Sequence, residues 1–168
     1  MPRPRLAVAL ALTLVVLTGI AGALHAQGTA ISFGGLRADT SQPVEVTADS
    51  LTVDQGTGTA VFSGNVIVSQ GAMRLSAQTL RVEYATGDQS RIERLVASGG
   101  VTLAAGADAA EAREATYEVA RGTVELVGDV LLTQGQSTIA GQRLVVDLAT
   151  GTGRMEGRVR TILVPGGQ

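Results

Sequence analysis

Beyond residue 43, apolar and polar positions alternate with a period of two. Leu51 and Val53 alternate with Thr52 and Asp54, and Leu80, Val82 and Tyr84 with Arg81 and Glu83. Val124, Leu126 and Gly128 alternate with Glu125, Val127 and Asp129. This alternation predicts strands with one buried face. Turn sequences punctuate it: Gln55-Gly56-Thr57-Gly58, Thr86-Gly87-Asp88, Arg121-Gly122 and Thr150-Gly151-Thr152-Gly153. The last three are expected as hairpin tips.

The alternation is organised into four copies of one frame. The first reads Ala48-Asp49-Ser50-Leu51-Thr52-Val53-Asp54, then Gly64-Asn65-Val66. The others open at Ala77, Ala112 and Gly141 and close on Gly99-Gly100-Val101, Gly128-Asp129-Val130 and Gly157-Arg158-Val159. From Leu51, Ala115 and Leu144 to the following glycine is 13 residues; from Leu80 to Gly99 it is 19. Each copy is expected to form a hairpin with strands of about six residues. Gly64, Gly128 and Gly157 then mark bulges or bends, with close approach of a ligand to the backbone as the alternative. Ala109 to Ala115 is rich in helix formers, but it falls in register with the other copies and is expected as strand.

Acids recur at one position of the frame: Asp54, Glu83, Glu118 and Asp147. They could form a cation ladder or paired acid–base groups. Their parity is opposite to Leu51, Val82, Tyr117 and Val146, which favours solvent-facing strand ends, with Arg81 and Arg143 offsetting their repulsion.

The N-terminus has a different pattern. Arg3 and Arg5 precede an apolar run from about residue 6 to 18, followed by a small-residue exit to Ala26. These are the parts of a secretory signal peptide spanning 1–26, cut after Ala23 or Ala26. A retained anchor is the alternative, since 6–24 is nearly long enough to cross a bilayer. Both place the body outside the cytoplasm. Residues 27–42 are expected as a flexible lead-in, 43–164 as the folded domain and 165–168 as a disordered tail.

Composition narrows the chemistry. Hydrophobic residues make up 45% and aromatics 2%, so the core is aliphatic. All 13 basic residues are Arg; without Arg3 and Arg5, 11 face 15 acids, a net charge of −4. Nucleic-acid binding would need a basic excess and stacking aromatics. There is no Cys, and the one histidine, His25, lies in the leader. The body therefore has no thiolate, imidazole zinc site or histidine triad. It also has no phosphate loop or nucleophile elbow. No enzyme, metal or cofactor is expected.

The repeated Ala-x-x-Leu-x-Val, spacer, Gly-x-Val frame behind a leader resembles the LptA (OstA-like) family of periplasmic lipopolysaccharide transport proteins. The likeness runs from Val44 to Val164 and is carried by Ala48, Leu51, Val53, Gly64, Val66 and their counterparts. It implies an all-β fold, an open, twisted antiparallel β-jelly roll built from hairpin repeats. It also implies a periplasmic carrier that bridges the inner-membrane transporter and the outer-membrane assembly complex. Lipopolysaccharide would be held by its acyl chains in an apolar groove, with partners joined by edge-strand stacking and head-to-tail homo-oligomers possible. A membrane-anchored LptC-like component of the same bridge and a structural β-solenoid without lipid are the competing readings.

The inward face is expected to include Val44, Val46, Leu51, Val53, Phe62, Val66, Val68, Leu75, Leu80, Val82, Tyr84, Val101, Leu103, Tyr117, Val119, Leu126, Val130, Leu132, Ile139, Leu144, Val146 and Leu148. Val53, Phe62, Val66, Leu80, Val82, Tyr84, Val101, Tyr117, Val119, Val130, Leu144 and Val146 are the candidate lipid-groove residues. Phe62, Tyr84 and Tyr117 are the largest of them. A lining of Val, Leu and Ala is expected to leave room for acyl chains.

Overall fold

The structure, a computed structural model, describes residues 29–32 and 36–163. The leader 1–26 and the tail 165–168 lie outside the described residues. In chain order the strands are β1 (Thr29–Ser32), β2 (Glu45–Thr47), β3 (Ser50–Asp54), β4 (Thr59–Gln70), β5 (Met73–Ala85) and β6 (Asp88–Ala105). They continue with β7 (Asp108–Glu118), β8 (Thr123–Gln134), β9 (Ser137–Asp147), β10 (Thr152–Glu156) and β11 (Arg160–Ile162). A short 3-10 turn, Val119–Arg121, precedes β8. The sheet order is β1-β10-β9-β8-β7-β6-β5-β4-β2, with β3 also on β4 and β11 also on β9. The fold is the all-β, antiparallel open jelly roll that the family resemblance implies. The 109–115 stretch is strand, because β7 directs Ala110 and Ala115 into the core, where they are buried.

The strands of the meander are longer than about six residues: β4 to β9 run 11 to 18. Each is two short halves joined at a bulge. Ser63 pairs with Thr79 but Val66 with Ala77, so Gly64 and Asn65 both face Gln78. Gly99 and Gly100 interrupt the next register, opposite Arg113 on the far side. Gly128 and Asp129 do the same between Arg113 and Gln142. The bulges thus align in one column across the sheet. Every pair in that column has positive φ: Gly64 79° and Asn65 46°, Gly99 and Gly100 both 86°, Gly128 88° and Asp129 49°, Gly157 79° and Arg158 48°. The first position of each pair needs glycine, since two successive residues in this region are costly with a Cβ. The Ala-x-x-Leu spacing now has a cause. Ala77 and Leu80 lie three apart yet both are buried, because the strand changes parity as it bends.

The bend folds the sheet into two layers. One holds β2, the second halves of β4, β6 and β8, the first halves of β5, β7 and β9, and β11; the other holds the remaining halves. Tyr117 in β7 donates its hydroxyl to Gln70 Oε1 in β4 at 2.8 Å. Those strands are three apart in the sheet, about 14 Å at ordinary spacing, so only a sheet turned back on itself brings them together. The layers enclose one aliphatic core of Val, Leu and Ala with Met73, Met155 and Tyr117. Small inward residues such as Ala60, Ala97, Ala105 and Ala110 let the layers approach closely.

Each repeat therefore has two hairpin turns rather than one. The expected tips at 86–87, 121–122 and 150–151 connect one layer. A second set, at Gly71, Gly106 and Gly135, connects the other, each glycine at φ 56–60°. Within 27–42, expected to lead in loosely, the described residues make specific contacts. Thr29–Ser32 pairs with β10, Leu36 is fully buried, and Ala38 N–H donates to the Leu148 carbonyl at 3.1 Å.

The bulge column makes a stability prediction. A Cβ on Gly99 would lie 2.7 Å from Gln78 Cβ, whereas Gly87, at φ 79°, has open space. Gly99→Ala is expected to cost about 2–3 kcal/mol and Gly87→Ala about 1 kcal/mol. Urea midpoints at unchanged m-value measure the difference; equal costs would show that the bulge contact constrains nothing.

Candidate functional site

The candidate groove residues divide into three groups. Val66, Leu80, Val82, Val101, Tyr117, Val130, Leu144 and Val146 are buried in the interlayer core. Phe62, Tyr84 and Val119 are half-buried, packed on its margin. Val53 is 60% exposed and its neighbour Leu51 is 53% exposed. The expected room along the whole inward face is thus not present in the structure. Short aliphatic side chains have drawn the layers together instead of leaving space between them.

Accessible interior surface is concentrated at one rim. Leu51 registers opposite Phe62 and Val53 opposite Ala60, and these pair in turn with Leu80 and Val82. Directly opposed residues share a face of the sheet. Leu51 and Val53 therefore lie on the interior face, left uncovered where the second layer ends. Beside them a cleft of about 170 Å³ is lined by Val53, Asp54, Gln55, Gly58, Thr59 and Tyr84. A second, of about 350 Å³, is lined by Ala85, Thr86, Arg91, Ile92, Glu93 and Ala120. Both lie at the β3–β6 tips of one layer. At this rim the interior face is exposed to solvent as an apolar surface.

The recurring acids serve the fold in two ways. Asp54 Oδ1 accepts the backbone N–H groups of Gly56 and Thr57 at 2.8 and 3.2 Å. Asp147 Oδ1 accepts those of Ala149 and Thr150, both at 2.9 Å. These turn hydrogen bonds, led by Thr57 and Thr150 respectively, hold both carboxyls below the usual carboxylate range. Glu83 lies 3.2 Å from Arg81 and 3.6 Å from Arg94, and Glu118 lies 3.3 Å from Arg94. Arg143 does not offset Asp147; it bonds Glu125 and Glu156 at 2.5 and 2.9 Å on the outer face. Pairs this exposed contribute under ~1 kcal/mol each. Among the described residues no group of acids is placed to hold a metal ion.

Two interior residues lacked a periodic signal. Leu36 is an isolated apolar residue in a polar stretch, yet it has no exposed surface. Gln70 is the buried polar side chain of the described core. Its Nε2 donates to the carbonyls of Thr40 and Gln42 at 3.1 and 2.9 Å, and its Oε1 receives the Tyr117 hydroxyl. Burial pushes the Tyr117 phenol up, partly opposed by that hydrogen bond.

Comparison with known proteins gives a consistent set of relatives. Residues 45–152 match the family described as LptA/(LptD N-terminal domain) LPS transport protein. An uncharacterized protein of Rhizobium meliloti is 32% identical over 96% of this chain and 92% of its own length. Lipopolysaccharide export system protein LptA of Escherichia coli K12 is 30% identical over 76% of this chain and 74% of its own. The crystal structure of LptH, the LptA-homologous periplasmic component of the lipopolysaccharide transport device of Pseudomonas aeruginosa, superposes with a TM-score of 0.68. That match covers 76% of this chain and 99% of LptH at 22% identity, and it bears on the fold.

The Tyr117–Gln70 contact generates a pH prediction. Below about pH 10 the phenol is protonated in both folded and unfolded chains, so its contribution is fully present. As pH rises through the raised folded value, the unfolded chain has already lost its proton and stability falls. Tyr117→Phe is expected to cost about 1–2 kcal/mol at neutral pH through the lost hydrogen bond. It should also flatten the alkaline decline measured by urea unfolding between about pH 9 and 11; an unchanged slope would contradict the assignment.

Proposed function

The chain belongs to the LptA/LptD N-terminal domain family of lipopolysaccharide transport proteins, and from that premise we propose that it is a periplasmic carrier whose jelly-roll interior receives lipid acyl chains. The single observation that carries the reading is the uncovered interior face at the β3 rim, where Leu51 and Val53 lead directly into the aliphatic core. A sealed structural roll would gain stability by covering these side chains. Here they mark an entrance, with Phe62 and Tyr84 as its walls.

Energetics fit a carrier. Each buried methylene contributes roughly 0.8 kcal/mol. About ten would supply ~8 kcal/mol before ordering costs, near micromolar affinity. Such binding captures a lipid and still releases it. Entry deeper than the rim requires the layers to part, because the interior beyond Phe62 is occupied by its own side chains.

Partner contacts follow from the two ends of the sheet. At one end β3 exposes Leu51 and Val53 on the interior face; at the other, Val159 and Leu163 flanking β11 are exposed, while Ile162, opposite Thr138, lies on the outer face. Unpaired edges carrying apolar side chains favour strand addition. In our reading the β3 end of one domain meets the β11-side end of the next, among copies of this chain or with the membrane-bound components of the transport system. The apolar rims then join into one continuous path.

Photo-crosslinking in living cells tests the carrier reading. A benzoylphenylalanine in place of Phe62 is expected to give a lipopolysaccharide adduct, and one in place of the outward-facing Thr52 is not. Equal yields from both positions, or no adduct from Phe62, would contradict the interior route.

A further inference from the structure

We propose that residues 36–42 are a releasable strap that holds the roll shut, with Leu36 as its plug and Gln70 as its latch. The inference rests on the carrier reading and concerns how its interior is opened.

Topology makes this segment a tie between distant parts of the sheet. β1 and β2 follow one another in the chain but occupy opposite ends of the sheet order. Twelve residues link Ser32 to Glu45, a reach of at most about 45 Å. Eight strand spacings, about 38 Å when flat, separate the two strands, so the link becomes nearly taut if the sheet opens out. It is fastened to both layers. Gln70, from one layer, holds the carbonyls of Thr40 and Gln42. Leu148, at a tip of the other layer, accepts Ala38 N–H. Tyr117, also from that other layer, locks Gln70 in place.

The fastening suits release. Residues 36–42 contribute no strand, and 39–42 are exposed. Their only deeply inserted side chain is Leu36, an aliphatic group occupying interior that an acyl chain would fill. Asp39 organises the exposed turn locally, accepting from Ser41 N at 3.0 Å and Gln42 Nε2 at 3.0 Å. Withdrawing Leu36 and breaking the Gln70 latch would free the seam between the layers without unpairing any strand of the meander.

A reversible lock tests the proposal. A Cβ on Gly71 lies 4.0 Å from Asp39 Cβ, within disulfide range, and the chain has no other cysteine. Asp39→Cys with Gly71→Cys is made in the full chain, and uptake of fluorescent lipopolysaccharide is followed in the oxidised and reduced forms. Because Gly71 sits at φ 57°, the comparison is made within this one variant. Uptake is expected to fall at least tenfold on oxidation and return on reduction. Separately, Gln70→Leu removes the latch and, once circular dichroism and a cooperative urea transition show it folded, should take up the probe several-fold faster than the parent chain. Equal uptake by oxidised and reduced forms, or an unchanged rate in Gln70→Leu, overturns the strap while leaving the carrier reading intact. Failure of the parent chain itself to take up the probe overturns the carrier reading, and the strap falls with it.

Discussion

The structure depends on the column of paired positive-φ residues that bends every long strand at the same level. Without it the meander would be a flat sheet with one greasy face, unable to bury that face against anything. With it, each strand supplies residues to both layers, and a single core forms from side chains as small as alanine. The bulges also fix register, since a one-residue slip would bring a Cβ against Gln78, Arg113 or Gln142, which pack over Gly99, Gly128 and Gly157. The Arg113–Asp129 pair closes one step of this column on the outer face. Asn65 closes another through Asp49, at 2.8 Å.

A fold bent in this way has a seam on its far side, and that side is where the carrier reading places lipid entry. The interior that stabilises the empty roll is the same surface that the carrier reading offers to lipid. These two uses compete. A core that is nearly dry and filled is stable when empty, and a guest must displace contacts among the protein's own side chains. Short aliphatic groups lower that barrier, because each contact is small and the layers can separate by sliding methyl groups apart rather than by unstacking rings. With aromatics at 2% of the chain, the carrier reading would have few rings to unstack when the layers part.

Much of this was legible in the residues. Period-two alternation marked the strands, and the recurring glycine marked the bulges. The frame overruled the helix-forming composition of 109–115, because Ala110 and Ala115 serve a tight interlayer contact and not a helix. The second set of turns was harder to see. The apolar parity switches across Gly71, Gly106 and Gly135, from Val68 to Met73, Leu103 to Ala110 and Leu132 to Ile139, but such a switch marks a turn or a bulge alike and so does not by itself give two hairpins per repeat. The parity change between Ala77 and Leu80 was hidden for the same reason: local periodicity cannot reveal that a strand bends. Leu36 and Gln70 carry no periodic signal at all. Their burial comes from the chain crossing between sheet ends, which only the closed topology determines. The openness of the interior was likewise beyond the pattern, since alternation shows which side chains face inward but not how far apart the layers stand.

On the carrier reading, the two layers separate about the bulge column when lipid enters. Inter-layer distance reads this directly. The chain has no native cysteine, so spin labels can be placed at Ala72 and Ala149, exposed tips of opposite layers, and measured by pulsed electron resonance with and without lipopolysaccharide. A second pair, Ala72 and Gln136, lies within one layer. The first distance is expected to lengthen on lipid binding while the second does not change. Bound lipopolysaccharide with both distances unchanged would contradict this separation.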